Sequence, residues 1–189
     1  MSTARIDRIM EQASQALVAR DYIKCESACL KAMQLAKESG EFERYARILL
    51  PLQEARRQRR QSATDAGVFI LTGKRLQPNT ILRRHRAGCL LLTDPPYSLE
   101  DERQLRHLAA RRRRFIEVQR LNQDQLRSLY LTAMEDQGDA ALTRIPADLP
   151  PARQIDALEQ ILLTTADHEI THQQLAAAAR RAATATSPT

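Results

Sequence analysis

The chain has 189 residues, of which 43% are apolar and 28% charged, and this suits one domain or two small ones with a buried core. Its 29 Lys and Arg residues exceed its 23 Asp and Glu residues, giving a net charge of +6, and the uneven spread of this charge is compatible with nucleic-acid binding or with attraction between the two ends of the chain. No apolar run reaches the roughly 18 residues of a membrane span, no signal peptide is indicated, and three cysteines do not form a disulfide framework. We therefore expect a soluble, cytoplasmic protein that does not bind membranes and keeps its thiols reduced.

The first sixty residues have the apolar spacing of helices. They predict helices over 3–19, 22–38 and 41–60, because apolar side chains recur three and four residues apart. Gly40 is expected to end the second helix, and Pro51 to kink the third. The stretch 62–67 (SATDAG) is predicted to be a linker, which makes residues 1–61 a helical unit separate from the rest of the chain.

The stretch ALVARDYIKCESACLKAMQLAKESGEFE resembles a tetratricopeptide repeat. Tyr22 takes the position of the Tyr that opens the second helix of that family, and Cys25 and Ala32 take its two small positions. Ala13 stands where the family prefers Gly, and Lys37 where it often has Pro. Over residues 3–60 the resemblance implies an antiparallel helical hairpin followed by a third helix.

The centre of the chain has strand-like sequence. Short apolar runs predict strands at 68–72 and 88–93, and an alternating run predicts a third at 115–119. Ser98, followed by acids, is expected to cap a helix over 99–114. A strand, a helix and a strand within about thirty residues form a βαβ unit, so the second and third strands are predicted to be parallel.

Helical spacing returns after the third strand. It predicts a helix over 124–135 and a final pair over 151–166 and 171–183, separated by a proline-containing loop. The predicted fold class is mainly helical α+β: tetratricopeptide-like helices at 1–61, a small α/β segment with three strands at 68–145, a helical pair at 146–184 and a disordered tail at 185–189.

The sequence HEITH matches the HExxH pattern of zinc hydrolases. In that pattern His168 and His172 would bind the metal, and Glu169 would activate a water molecule. Neither His nor an acid follows His172 to act as a third ligand, and Thr171 with Gln174 forms a capping box that would place His168 outside the helix. We therefore predict that these residues bind no metal and that the protein has no cofactor. Cys25 and Cys29, one helical turn apart, are expected to be buried and apolar.

The sequence Asp94-Pro95-Pro96-Tyr97 resembles the DPPY motif of amino-group DNA methyltransferases. There the motif follows a strand and contacts a flipped base. The family also has a glycine-containing turn after its first strand for a nucleoside cofactor, and no such turn followed by a helical pattern is evident here. We therefore expect a structural turn between strand and helix and assign no catalytic residue.

Arginine clusters carry much of the positive charge. A nucleic acid would be bound through Arg56, Arg57, Arg59, Arg60, Arg83, Arg84, Arg86, Arg111, Arg112, Arg113 and Arg114. No aromatic residues interleave with these clusters and no known binding motif overlaps them, so solvated helix faces are the favoured interpretation and nucleic-acid binding is the alternative.

These observations favour a non-enzymatic adaptor that binds a partner protein through an apolar groove on its first and third helices. The alternative is a nucleic-acid-binding protein with its arginine clusters on one surface. A third possibility is an enzyme, either a metal-dependent hydrolase or a methyltransferase-like protein, which would need a pocket with converging titratable groups.

Overall fold

The computed structural model describes residues 2–73, 76–94, 96–122 and 130–186. Within them the protein has eight helices and a small three-stranded sheet, which confirms the predicted mainly helical α+β class. In chain order these elements are α1 (Ser2–Val18), α2 (Tyr22–Glu38), α3 (Phe42–Asp65), β1 (Val68–Leu71), α4 (Pro78–Arg84), β2 (Ala87–Asp94), α5 (Leu99–Arg111), β3 (Phe115–Asn122), α6 (Tyr130–Leu142), α7 (Pro151–Ile161) and α8 (Glu169–Thr186). No helix in these ranges has the length and apolar character needed to cross a membrane.

The chain divides into two compact units. The first comprises Met1–Arg56 and Met134–Thr189, and the second comprises Arg57–Ala133. This differs from the three consecutive segments expected from the sequence. The C-terminal helical pair does not stand alone, because it shares one apolar core with the N-terminal helices, as shown by Ile6, Tyr45 and Leu52 clustering with Leu158 and Leu175.

Two turns of the same type connect the first three helices. After α1, Arg20 has φ 57° and the Asp21 N–H donates to the Ala16 carbonyl oxygen at 2.8 Å. After α2, Gly40 has φ 71° and the Glu41 N–H donates to the Ala36 carbonyl oxygen at the same distance. Both are helix-ending turns with one left-handed residue, a position at which glycine is the usual choice.

Helix α3 is longer than predicted and passes from the first unit into the second. The expected linker at 62–67 is mostly helical, because it contains no helix-breaking residue before its glycine. Ala63 is fully buried, and the Thr64 hydroxyl donates to the Arg60 carbonyl oxygen at 2.9 Å. Gly67, with φ 120°, comes after the end of the helix, so only Ala66 and Gly67 lie between α3 and β1.

The second unit is built on a parallel sheet in the order β1-β2-β3. All three predicted strands are confirmed, as is the parallel pairing of the second and third. Helix α4 was not predicted; its sequence is short and begins with Pro78, which is favourable in the first turn of a helix. One face of the sheet packs on α4 and α5 through an apolar cluster that contains Leu82, Leu90, Leu92, Leu105, Ala109, Ile116 and Val118.

Helix α3 also contributes to the second unit, on the opposite face of the sheet. Cys89 pairs with Glu117 in the register of β2 and β3, and alternation along the strands places both away from α4 and α5. The Thr64 hydroxyl lies 3.9 Å from the Cys89 sulfur, and Arg59 forms an ion pair of 3.2 Å with Glu117. The end of α3 therefore packs on this face at β2 and β3.

Several helix boundaries differ from the predictions. The predicted cap of α5 is confirmed, since Ser98 and Asp101 form a reciprocal capping box, but the helix ends at Arg111 and not at 114. Helix α6 extends to Leu142 and not to 135, while 123–129 lie outside the described residues. Helix α7 ends at Ile161 and not at 166, and α8 continues through two residues of the predicted tail, of which 187–189 lie outside the described residues.

Candidate functional site

An apolar groove lies on the surface of the first unit. It encloses about 320 Å³ between α2, α3, α7 and the residues after α7. Met33, Leu52 and Leu162 are buried, whereas Leu30 and Leu163 remain 44% and 58% exposed. The ten lining residues are Leu30, Met33, Gln34, Lys37, Leu52, Arg56, Glu159, Gln160, Leu162 and Leu163.

The groove involves the third helix, as the sequence suggested, but not the first. The apolar face of α1 is buried in the core through Ile6, Ile9, Ala13 and Ala16, so it has no free apolar surface to contribute. Helix α2 lines the groove in place of α1, because one side of α2 packs in the core and its other side faces the groove. Its residue Met33 belongs to both.

A partly exposed polar network forms one wall of the groove. The Lys37 ammonium lies 2.7 Å from Asp156 and 2.5 Å from Glu159, and the Tyr45 hydroxyl donates to Glu159 at 2.5 Å. Burial disfavours the charge of Lys37, but the hydrogen bonds to the two carboxylates outweigh it and raise the pKa of Lys37. Burial and the bond to Glu159 also raise the pKa of Tyr45, so its phenol stays protonated. The network joins α2, α3 and α7 and fixes the shape of this wall.

Arg56 closes the groove at the other end. Its side chain is 10% exposed, and its Nε donates to Glu26 at 2.9 Å. Its Nη1 donates to the Ala166 carbonyl oxygen at 2.9 Å. This arginine of the first cluster therefore has a structural role between α2 and the segment before α8.

The HEITH residues lie at the start of the last helix. Helix α8 begins at Glu169, so His168 lies just before it, as predicted, but Thr171 is inside the helix and caps nothing. The Thr171 hydroxyl instead lies 2.8 Å from Nδ1 of His168. The described residues contain no group of three His, Cys, Asp or Glu side chains that could hold a metal ion.

The two imidazole rings face different partners. Nε2 of His172 lies 3.0 Å from the Ala166 carbonyl oxygen, which can only accept, so this nitrogen carries the proton. Nε2 of His168 lies 3.4 Å from Glu135 and 3.5 Å from Asp139 on α6. Burial lowers the pKa of His172 to about 4, so this ring is neutral at physiological pH. Glu169 is exposed and accepts a hydrogen bond from Gln173, which is the arrangement of a surface residue.

A close backbone approach completes the surroundings of His168. A Cβ atom added to Gly138 on α6 would lie 2.5 Å from Cγ of the His168 ring, so only glycine fits there. The sequence did not indicate the roles of Gly138, of Tyr45 or of the network around Lys37. Gly138 inside a helical pattern was the available signal, since such a glycine often marks a close contact.

The DPPY motif lies at the carboxyl end of β2, the central strand. Tyr97 is 4% exposed and belongs to the apolar cluster beneath α4 and α5; Pro95 and the side chain of Asp94 lie outside the described residues. Tyr97 also lines a cavity of about 330 Å³ beside the end of β1, together with Thr72, Gly73, Arg84 and His85. A buried core tyrosine is the arrangement expected for a structural turn.

The three arginine clusters do not share one surface. Arg56 is buried in the first unit, and Arg59 forms its ion pair with Glu117 on the sheet face on which α3 packs. The other two clusters belong to the side of the second unit that carries α4 and α5, where Arg83, Arg84, Arg86, Arg111, Arg112 and Arg113 are exposed and Arg114 is half-buried. Only these two clusters have exposed arginines on the same side of one unit, as a common binding surface requires.

The cysteines are packing residues. Cys25 and Cys29 are fully buried in the core of the first unit, and Cys89 is buried in the second, so all three are free thiols without solvent access. The contact with Cys25, together with burial, raises the pKa of the Cys29 thiol.

No family model, no curated protein and no solved structure matches this chain. Function is therefore argued from the geometry of its own surfaces.

Proposed function

We propose that the protein is a non-enzymatic interaction protein, an adaptor, and that its first unit binds a partner protein in the groove between α2, α3 and α7. The hairpin of α1 and α2 would be tetratricopeptide-like, and the protein would act in the cytoplasm. The observation that carries the proposal is the pair of exposed leucines, Leu30 and Leu163, on the rim of a groove whose floor is apolar. Burying such a surface against apolar side chains of a partner is favourable.

The charged residues of the groove support binding over catalysis. An active site needs titratable groups that converge on the substrate and are available to it. Here Lys37 is paired with Asp156 and Glu159, and Arg56 is paired with Glu26. These groups stabilise the walls, which leaves the apolar surface to contact the partner.

The expected contribution of the two leucines can be worked out from their exposure. Complete burial of a leucine side chain contributes about 1.5–3 kcal/mol, so a half-exposed one that becomes buried contributes about 1 kcal/mol. Leu30 and Leu163 together would contribute about 2 kcal/mol, equivalent to roughly a 30-fold change in Kd.

Affinity capture with quantitative mass spectrometry tests the proposal. The wild-type protein, the variant Leu30→Ser/Leu163→Ser and the control Leu50→Ser would each be used to capture proteins from the extract of the native cells. Leu50 is 74% exposed in the same unit but does not line the groove, so its substitution removes an equally apolar side chain elsewhere. We expect a partner that the wild type and the control retain and the double variant loses. Equal retention by all three would contradict a role for the groove.

A further inference from the structure

The net charge of the protein is unevenly divided between its two units. The 77 residues of the second unit, Arg57–Ala133, contain 16 Lys and Arg against 7 Asp and Glu, a net charge of +9. The remaining residues contain 13 against 16, a net charge of −3. A bias of composition toward arginine would affect both units alike, so it does not explain a surplus that is confined to one.

The sheet topology brings two arginine clusters together. One cluster ends at Arg86, the residue before β2, and the other ends at Arg114, the residue before β3. The first residues of these strands, Ala87 and Phe115, are partners in the parallel register. Neighbouring strands lie about 4.8 Å apart, so Arg86 and Arg114, the last residues of the two clusters, lie side by side at the amino edge of the sheet.

We define the amino-edge arginine surface as the five exposed arginines of these clusters for which the described residues include no carboxylate partner: Arg83, Arg84, Arg86, Arg111 and Arg112. Arg112 reaches across to α4, where its Nη2 donates to Oδ1 of Asn79, a neutral acceptor that leaves the charge uncompensated. No Asp or Glu occurs between residues 66 and 93, nor between 103 and 116. The nearest acids of α5 occupy its opposite end.

The ends of the two helices account for only part of this charge. Cations stabilise the carboxyl ends of α4 and α5, but each end carries only about half a negative charge. Five positive charges against a total of about −1 leave a surplus of roughly four. A surplus of about four positive charges at one edge of the sheet must be balanced by a negatively charged partner or by ions from the solvent.

We propose that the amino-edge arginine surface binds the sugar–phosphate backbone of a nucleic acid. Guanidinium groups bind phosphate oxygens through paired hydrogen bonds, which makes arginine well suited to the recognition of nucleic-acid backbones. An anionic membrane also attracts clusters of basic residues, but stable attachment to it takes a second, apolar signal beside the charges. Among the described residues, the large apolar side chains that this unit exposes are Val68 and Ile70 of β1, and alternation places both on the sheet face away from α4 and α5. This surface is independent of the groove in the first unit.

The experiment compares two variants that lose the same charge. Arg84→Gln/Arg86→Gln/Arg111→Gln removes three charges from the surface, and Arg5→Gln/Arg8→Gln/Arg47→Gln removes three exposed charges from the first unit. Binding of the full chain to fluorescent RNA, single-stranded DNA and duplex DNA of about 20 nucleotides is measured by anisotropy at several salt concentrations around 0.15 M. Circular dichroism of both variants verifies that they are folded.

We expect the wild type to bind at least one of the three nucleic acids with a Kd below about 1 μM at physiological salt. The surface variant should bind at least about tenfold more weakly, and its slope of log K against log salt should fall by about 2 to 3, since three phosphate contacts are lost. The control should stay within about twofold of the wild type. Which nucleic acid binds best distinguishes RNA from DNA as the source of the phosphates.

Three results would overturn the proposal. One is the absence of binding by the wild type to all three nucleic acids. Another is an equal loss in both variants, which would indicate a dependence on net charge alone. The third is equally tight binding to polyglutamate or to vesicles containing phosphatidylserine, which would assign the surface to an acidic protein or a membrane.

Discussion

Replacement of Gly138 by alanine should destabilise the protein, although alanine normally stabilises a helix. In an ordinary helix this substitution contributes about 1 kcal/mol of stability. At Gly138 the added Cβ would lie 2.5 Å from Cγ and 2.6 Å from Nε2 of His168. The ring is 2% exposed, and Thr171 contacts it through Nδ1 while Glu135 and Asp139 lie beside Nε2, so it cannot move aside without losing these contacts.

The magnitude follows from the cost of overpacking. Inserting a methyl group into a closely packed site costs about 1–3 kcal/mol, and strain of this kind should exceed the gain in helix propensity. We expect Gly138→Ala to lower the free energy of unfolding by about 1–2 kcal/mol, measured by urea unfolding followed by circular dichroism.

Repeating the Gly138→Ala substitution in a His168→Ala variant makes the test specific to the contact between the two residues. In His168→Ala the ring is absent, so Gly138→Ala should there be neutral or stabilising by up to about 1 kcal/mol. The two substitutions should thus show a coupling energy of about 2 kcal/mol. If Gly138→Ala stabilised the wild type as it does an exposed helix, the packing of α6 on His168 would be refuted.

Two further predictions concern a backbone turn and a buried histidine. Arg20→Gly should stabilise the protein by about 1 kcal/mol, because Arg20 has φ 57°, where glycine has no steric penalty. Gly40→Ala at the equivalent turn should destabilise the protein by a similar amount. A loss of stability in Arg20→Gly would count against this turn geometry. Because the pKa of His172 is lowered to about 4, the unfolded state takes up a proton on this ring below pH 6.5, whereas the folded state does so only near pH 4. The free energy of unfolding should therefore fall by about 3 kcal/mol as the pH is lowered from 6.5 to 4. In His172→Gln, whose amide can still donate to Ala166, that part of the pH dependence should vanish from the unfolding curves; an unchanged profile would show that other groups are responsible.

Local sequence rules were sufficient where local forces decide the structure. The limits of α1 and α2 followed from apolar spacing, and the capping box at Ser98 followed from the acid three residues later. The strands were evident as apolar runs between turn residues. The end of α3 was missed because Ser and Thr suggested a linker, whereas Ala63 is buried and extends the helix.

The candidate sites depended on contacts between distant parts of the chain. The groove joins residues near 30 with residues near 160, and its wall requires Lys37 to meet Glu159, 122 positions away. No periodic pattern in the sequence indicates that two residues so far apart are in contact. The predicted capping role of Thr171 was wrong, since the partner of its hydroxyl is His168 and not the backbone of its own helix.

The most direct test of the adaptor proposal is site-specific photo-crosslinking inside native cells. A photoreactive amino acid placed at Leu163, on the rim of the groove, should give a discrete covalent adduct with one partner protein. The same amino acid at Leu50, on the exposed face of α3 outside the groove, should not give it. An adduct at position 163 that disappears when Leu30 is changed to Ser would support binding in the groove. The same adduct at both positions, or none at position 163, would contradict it.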